Sequence, residues 1–100
     1  MHRIRRSNLD GLVRTINKKT GSPENQYTLN KNGTIKRANV GNFHIDEGFQ
    51  GRLCLCRITN VGGGVSDVFQ CGSIPKSDLY NRLRAFLEGL TFTLEGRKDV

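Results

Sequence analysis

The chain has 100 residues, which is enough for one domain with a modest hydrophobic core. Apolar residues make up 35% and charged residues 25% of the sequence, a balance that excludes an intrinsically disordered chain. No apolar run approaches the roughly 18 residues of a membrane span, and no apolar signal-peptide segment follows the basic start. We therefore expect one small globular domain with no membrane partner.

The net charge of +7 is concentrated in the first third of the chain. Residues 1–37 hold nine Lys and Arg against two acids, whereas residues 38–100 hold seven of each. Such a one-sided basic segment is typical of a surface that neutralises phosphates, and equally of a solvated terminal arm. We divide the chain into a basic arm (1–6), a single domain (7–90) and a tail (91–100). The candidate phosphate contacts are Arg3, Arg5, Arg6, Lys18, Lys19, Lys36 and Arg37.

The first predicted element is a short helix over residues 8–19. Ser7 or Asn8 is suited to cap it, and Gly21 and Pro23 end it. Its apolar stripe has the spacing i, i+3, i+4, i+7 and consists of Leu9, Leu12, Val13 and Ile16.

Five segments with strand character follow the helix. Tyr27 and Leu29 begin a short strand that pairs with residues 34–36 across a turn at Asn32 and Gly33. A third strand is predicted within residues 39–46. The clearest strand covers residues 52–60, and residues 66–71 run back beside it. In the clearest strand Leu53 and Leu55 face one way, and Cys54, Cys56 and Ile58 face the other.

Three consecutive glycines, Gly62 to Gly64, lie between the last two strands. A phosphate cradle needs such glycines at the mouth of a helix, with Lys and Ser or Thr following. Because strands flank these glycines, they predict a hairpin turn instead.

The second predicted helix begins at Pro75, and Asp78 complements its positive end. Gly89 is placed for a C′ cap, and the tail then forms a short edge strand through Phe92 and Leu94 or frays. The apolar stripe of this helix consists of Leu79, Leu83, Phe86, Leu87 and Leu90.

These elements predict an α+β fold of αβββα-like order, in which two helices pack on one face of an antiparallel sheet of three to four strands. This order resembles the topology of the double-stranded RNA-binding domain, with local similarity at residues 16–23 and 75–78. In that family a lysine-rich turn before the second helix binds phosphates. Here the matching stretch contains Lys76 together with Asp78.

A second resemblance is carried by residues 60–69 and 75–90, together with residues 20–23 and Tyr27. These segments look like small phage and prophage proteins of unknown function. The resemblance covers residues 9–90 and implies the cytoplasm of a bacterial host cell. It implies no catalytic residues.

The three cysteines are Cys54, Cys56 and Cys71, an odd count that favours free thiols in a reducing compartment. Only Cys71, His2 and His44 are available to complete a zinc site with the Cys54–Cys56 pair. The pattern favours thiols that fill the core, with no metal and no cofactor.

No catalytic motif of a serine hydrolase or a zinc protease is present. A Cys–His pair between His44 and Cys54 or Cys56 is conceivable across neighbouring strands, with Asp46 on the same face as His44. Active thiols need an electropositive, open setting, which the sequence does not show. We therefore expect no enzyme and no catalytic residues.

Two functions fit the sequence. The first is nucleic-acid binding through phosphate contacts from residues 1–37, with Tyr27 or Phe43 available to stack on an unpaired base. The alternative is a protein-interaction module, a phage accessory or host-factor-binding protein, that uses an exposed apolar face of the sheet and is perhaps a dimer.

Overall fold

The computed structural model describes residues 3–98, with side chains for residues 3–92. It is an α+β fold in which a helix at each end of the chain encloses five strands, and the predicted class is confirmed. The elements in chain order are α1 (Arg6–Thr20), β1 (Tyr27–Leu29), β2 (Ile35–Ala38), β3 (Phe43–Glu47), a short 3-10 turn (Phe49–Gly51), β4 (Leu53–Ile58), β5 (Val65–Asp67) and α2 (Lys76–Lys98).

The strands form two antiparallel sheets. The main sheet has the order β3-β4-β5, and β1 and β2 form a separate hairpin. A tight turn separates β2 from β3, since Gly41 has φ +96° and the Asn42 N–H donates to the Asn39 carbonyl. This turn redirects the chain after β2 and shortens the strand predicted within residues 39–46. The main sheet therefore has three strands, and the hairpin predicted across Asn32 and Gly33 is confirmed as a second sheet.

Helix α1 begins two residues earlier than the sequence predicts. The Asn8 side chain accepts a hydrogen bond from the Arg5 N–H at 2.9 Å, so Asn8 stabilises the start of the helix from inside it. The helix ends as predicted, because Gly21 adopts a left-handed conformation (φ 69°) and the Ser22 N–H donates to the Asn17 carbonyl at 2.8 Å.

The hydrophobic core lies between the two helices and one face of the main sheet. The predicted apolar stripes of both helices point into it, and the rings of Phe43 and Phe69 each form a T-shaped contact with the ring of Phe86, with centroids 6.0 and 5.9 Å away. The packing of both helices on one face of the sheet is thus confirmed. The buried residues of this core are Leu9, Val13, Ile16, Phe43, Leu53, Leu55, Leu79 and Leu83.

Helix α2 continues to Lys98, so two sequence predictions about its end are wrong. Gly89 is an exposed residue inside the helix rather than a C′ cap, and the tail forms no edge strand through Phe92 and Leu94. The reason is that one interior glycine costs only about 1 kcal/mol, and Leu90, packed against the core, continues the helix beyond it. Within the described residues, no helix is both long and apolar enough to cross a membrane.

Candidate functional site

All seven predicted phosphate contacts have exposed side chains, but they do not converge on a single patch. Arg6, Lys18 and Lys19 lie on α1, and Arg3 and Arg5 lie just before it. Lys36 and Arg37 lie on β2 of the separate hairpin.

A row of polar side chains runs along α1 with a spacing of four residues: Arg6, Asp10, Arg14 and Lys18. Arg6 and Arg14 of this row line a polar groove of about 360 Å³ between α1 and β3. Arg6 Nε pairs with Asp10 Oδ1 at 3.1 Å, and an Arg6 terminal nitrogen donates to the Ile45 carbonyl at 3.3 Å. Arg14 is one of the three cations of this row, although it was not among the predicted phosphate contacts. Its helical spacing from Arg6 and Lys18 was the available signal.

The other basic residues of this region face different surroundings. Arg3 and Arg5 border a cavity that Tyr80 and Asn81 of α2 also line. Lys19 borders an apolar cleft between the two helices, together with Arg84.

The hairpin carries both basic and apolar side chains. Lys36 and Arg37 are neighbours on β2 and are exposed. Tyr27, Leu29 and Ile35 are also 40%, 57% and 60% exposed, respectively. Tyr27 is therefore accessible for stacking on a base. Phe43, the other aromatic predicted to stack, is not accessible, because it is 4% exposed within the core.

Acidic partners for these cations are rare. Within residues 3–92, whose side chains the structure describes, Arg6–Asp10 is the one ion pair. The remaining cations of the arm, α1 and β2 are exposed to solvent, and none has a carboxylate of residues 3–92 at salt-bridge distance.

The glycine turn offers no cradle of free N–H groups. The Gly62 and Gly64 N–H groups both donate to the Asn60 side-chain oxygen at 3.0 Å, and the Gly63 N–H donates to the Asn60 carbonyl at 3.1 Å. The three donors that a phosphate would use are satisfied within the turn, and the predicted hairpin turn is confirmed.

A second group of functional side chains lies on the face of the main sheet opposite the helices, which we call the outer face. The register pairs His44 with Cys56 and Asp46 with Cys54 across β3 and β4, and Cys56 with Asp67 across β4 and β5. Residues paired in this way point to the same side of a sheet. We call His44, Asp46, Cys54, Cys56 and Asp67 the outer-face cluster.

The sulfur atoms are at the centre of this cluster. Cys56 Sγ lies 3.8 Å from Cys54 Sγ and 3.9 Å from Asp46 Oδ2. The potential ligand atoms of His44, Asp46 and Cys56 all lie within 4.8 Å of one another. The sequence indicated that Cys54 and Cys56 share a face and that His44 shares one with Asp46. It gave no signal for Asp67, which joins them only through the register of β5. His2, a further ligand considered from the sequence, lies outside the described residues.

The surroundings of the cluster favour neutral thiols and a neutral imidazole. Burial raises the pKa of Cys54 to about 12, with contributions from Cys56 and Asp67. Burial also raises the pKa of Cys56, and it lowers the pKa of His44 against the opposing effect of Asp46. These shifts disfavour the thiolate–imidazolium pair that a nucleophilic cysteine uses.

The sequence suggests that one face of the sheet exposes apolar side chains, but the outer-face positions of β4 do not form such a surface. Cys56 and Ile58 are 5% and 2% exposed, and Cys54 is half-buried. The exposed apolar side chains of β1 and β2 lie on the hairpin instead.

Comparison of the chain with protein-family models, with curated proteins and with solved structures gives no match.

Proposed function

We propose that this protein is a small non-enzymatic module that binds nucleic acid through its phosphates. The observation that carries the proposal is the set of exposed cations of the arm, α1 and β2, of which only Arg6 has a carboxylate partner among the described side chains. Each unpaired cation that neutralises a phosphate releases condensed counterions, which is the main source of sequence-independent affinity.

The row along α1 has a length suited to a nucleic-acid backbone. Arg6 and Lys18 are twelve residues apart, which is about 18 Å along a helix. Successive members of the row turn by about 40° around the helix axis, so Arg6 and Lys18 point about 120° apart. A duplex carries about one charge per 1.7 Å of its axis, and the neighbouring cations Arg14 and Lys18, about 6 Å apart along the helix, are placed to contact adjacent phosphates together. Lys36 and Arg37 add a second basic element on β2.

The aromatic content of this surface is low. Tyr27 is exposed on the hairpin, where it pairs with Ala38, and Arg37 points to the opposite face; Phe43 is in the core. A single stacking residue supports contacts to the backbone rather than the reading of a base sequence.

A titration with duplex DNA, single-stranded DNA and duplex RNA at roughly 50 and 200 mM salt tests this proposal. We expect binding to at least one of them that weakens steeply with salt. In the double variant Arg3→Ala/Arg5→Ala the slope of log affinity against log salt should fall by about two, since each lost phosphate contact removes about one.

The matched control removes the same charge elsewhere. Arg52→Ala/Arg82→Ala replaces two exposed cations outside residues 1–37 and should leave the slope unchanged. Equal losses in the two double variants would assign the effect to net charge alone and would remove the arm from the interface. No binding at the lower salt would overturn the proposal.

The proposal includes an origin and a compartment. We place the protein among small phage or prophage proteins acting in the cytoplasm of a bacterial host cell. The support is the resemblance carried by residues 60–69 and 75–90, together with three free thiols, which suit a reducing compartment.

A protein partner is the second candidate, favoured by the apolar side chains of the hairpin. Leu29 and Ile35 are adjacent across β1 and β2, and both are more than half exposed. Exposed apolar pairs of this kind mark interfaces more often than isolated residues do. Light scattering over a concentration series tests self-association. A mass that stays monomeric in the wild type and in Leu29→Ser/Ile35→Ser would exclude a dimer through the hairpin.

A further inference from the structure

We propose that His44, Asp46, Cys54 and Cys56 form a zinc-binding site on the outer face of the β3–β4 pair. The site is separate from the basic surface, and its existence does not depend on nucleic-acid binding.

The backbone places the four residues at the corners of a rectangle. His44 and Asp46 are two apart on β3, and Cys56 and Cys54 are their partners on β4. In an antiparallel pair the facing Cα atoms are about 5.5 Å apart, and residues two apart on one strand are about 7 Å apart. Four side chains that rise from such a rectangle on one face converge above its centre. Two strands thus supply four ligands without any loop having to fold around the metal.

The observed distances are close to those of a tetrahedral zinc centre. Two thiolates bound at about 2.3 Å in a tetrahedron have their sulfur atoms about 3.8 Å apart. Cys54 Sγ and Cys56 Sγ are 3.8 Å apart. The Cys56 Sγ to Asp46 Oδ2 distance of 3.9 Å and the 4.8 Å limit for the set of His44, Asp46 and Cys56 need contractions of at most about 1–1.5 Å, which side-chain rotation supplies. Cys54 Sγ contacts Cys56 Sγ but lies outside that set, so Cys54 completes the site only when its side chain rotates away from Asp67.

A hydrogen bond outside the set prepares His44 as a ligand. Asn42 Nδ2 donates to the Pro23 carbonyl at 2.8 Å, so Asn42 Oδ1 is the acceptor for His44 Nδ1, 3.2 Å away. This bond places the ring proton on Nδ1 and leaves the lone pair on Nε2. An outer hydrogen bond that selects one tautomer and fixes the ring is the usual support of a metal-binding histidine.

The charges on the outer face favour the binding of a cation. The chain as a whole has a net charge of +7, yet no Lys or Arg occupies an outward-facing position of β3, β4 or β5. The negative charge at these positions comes from the carboxylates of Asp46 and Asp67, whereas the thiols of Cys54 and Cys56 are neutral and lose their protons when a metal ion binds. The second carboxylate, Asp67, is anchored by the N–H groups of Gln70 and Gly72 at 3.0 and 2.7 Å, so it is a fixed negative charge beside Cys54.

The chemical types of the four ligand atoms favour zinc over magnesium and calcium. Two sulfurs and an imidazole are soft or borderline ligands, which suit Zn²⁺ and are poor ligands for Mg²⁺ or Ca²⁺. Four protein ligands close the coordination sphere, as in structural zinc sites. Exposed Asp46 and half-buried Cys54 leave a path by which the ion enters.

Cobalt titration tests the site, because Co²⁺ occupies zinc sites and reports their ligands by absorption. The chain is prepared without a histidine tag and is kept in a non-thiol reductant. We expect one Co²⁺ per chain, with the visible bands of a tetrahedral ion and a sulfur-to-cobalt charge-transfer band, both abolished when Zn²⁺ is added. Zinc should also raise the melting temperature, since it binds the folded state. Absence of the charge-transfer band would overturn the proposal and leave both thiols as core-filling groups.

Three variants locate the ligands. Cys54→Ser and Asp46→Asn each remove one donor at a position that is not buried, and we expect cobalt affinity to fall at least about tenfold in each. Cys71→Ser removes an exposed thiol outside the cluster and should bind as the wild type does. Circular dichroism of the metal-free variants shows whether each is folded. If Cys54→Ser does not fold, the cobalt affinity of Asp46→Asn tests the assignment of the ligands. The assignment of Asp46 and Cys54 as ligands would be refuted if cobalt affinity were unchanged in both Asp46→Asn and Cys54→Ser. It would also be refuted if cobalt affinity were lost only in Cys71→Ser.

Discussion

The side chain of Asn17 on α1 forms two hydrogen bonds with the backbone of Phe43 on β3. Asn17 Nδ2 donates to the Phe43 carbonyl at 3.0 Å, and the Phe43 N–H donates to Asn17 Oδ1 at 2.9 Å. The carboxamide thus takes the place of a neighbouring strand at the edge of the main sheet. Both residues are almost fully buried, at 2% and 4% exposure, so no water competes for these bonds. This contact joins the helix layer to the sheet and protects the edge of β3 from pairing with another chain.

We expect Asn17→Ala to destabilise the fold by about 1–3 kcal/mol for each backbone group left unsatisfied, and less if water enters the space. Urea unfolding followed by circular dichroism measures the change. Lys18→Ala, at the next and exposed position of α1, is the control and should shift the midpoint little. If both variants unfold at the wild-type midpoint, the two hydrogen bonds contribute nothing to stability.

The core prediction concerns Leu83 of α2, which has no exposed surface. Leu83→Ala should cost about 2–5 kcal/mol, because it removes buried methyl groups and leaves a cavity between the helices and the sheet. That is a large part of the roughly 5–15 kcal/mol that holds a domain together. Phe86→Ala should also destabilise, by breaking two edge-on ring contacts. Thermal unfolding measures both, with exposed Ala85→Ser as the control. A melting temperature unchanged by Leu83→Ala would contradict the packing of α2 on the sheet.

The three thiols should differ in their rates of alkylation. Cys71 is exposed and should react first, whereas Cys56 is 5% exposed and Cys54 has its pKa raised to about 12 by burial. At pH 8 the thiolate fraction of Cys54 is then very small, and its labelling should be slower than in the urea-unfolded chain by on the order of 100-fold or more. Mass spectrometry of iodoacetamide-treated protein at successive times assigns each site. Equal rates for all three cysteines in the folded protein would show that the outer face is open.

The turn between β4 and β5 depends on Asn60. Its side-chain oxygen accepts hydrogen bonds from the Gly62 and Gly64 N–H groups. Asn60→Ala should therefore destabilise the protein by about 1 kcal/mol and speed amide exchange at both glycines. Asn60→Asp retains the acceptor and is the matched control. Exchange at Gly62 and Gly64 that is as fast in the wild type as in Asn60→Ala would show that these bonds are absent in solution.

Much of the fold could be predicted because the relevant signals are local. The stripe from Leu79 to Leu90 repeats with the period of a helix, and the pair Asn32–Gly33 favours a turn through the backbone preferences of these two residues alone. The same locality explains the error at Gly89. A glycine favours a helix end, but its preference of about 1 kcal/mol is smaller than the gain from extending a helix that Leu90 anchors on the core.

The functional surfaces were predictable only in part. Charge is a property of composition, so the excess in residues 1–37 is visible in the sequence. The arrangement of those charges is not, because Arg3, Lys19 and Lys36 lie on surfaces that depend on how α1 and the hairpin are placed. Asn17 resembled any polar helix residue until the edge of β3 was found beside it.

The sequence by itself determined the element types, the apolar stripes, the basic first third and the shared face of Cys54 and Cys56, since each follows from spacing along one segment. Only the tertiary structure decided that His44 faces Cys56, that Asp46 faces Cys54 and that Asp67 joins them. A shift of one residue in the pairing of β3 with β4 would send these side chains to opposite faces, because side chains alternate along a strand. That register is set by the burial of Phe43, Leu53 and Leu55 against the helices, an interaction among segments far apart in the chain.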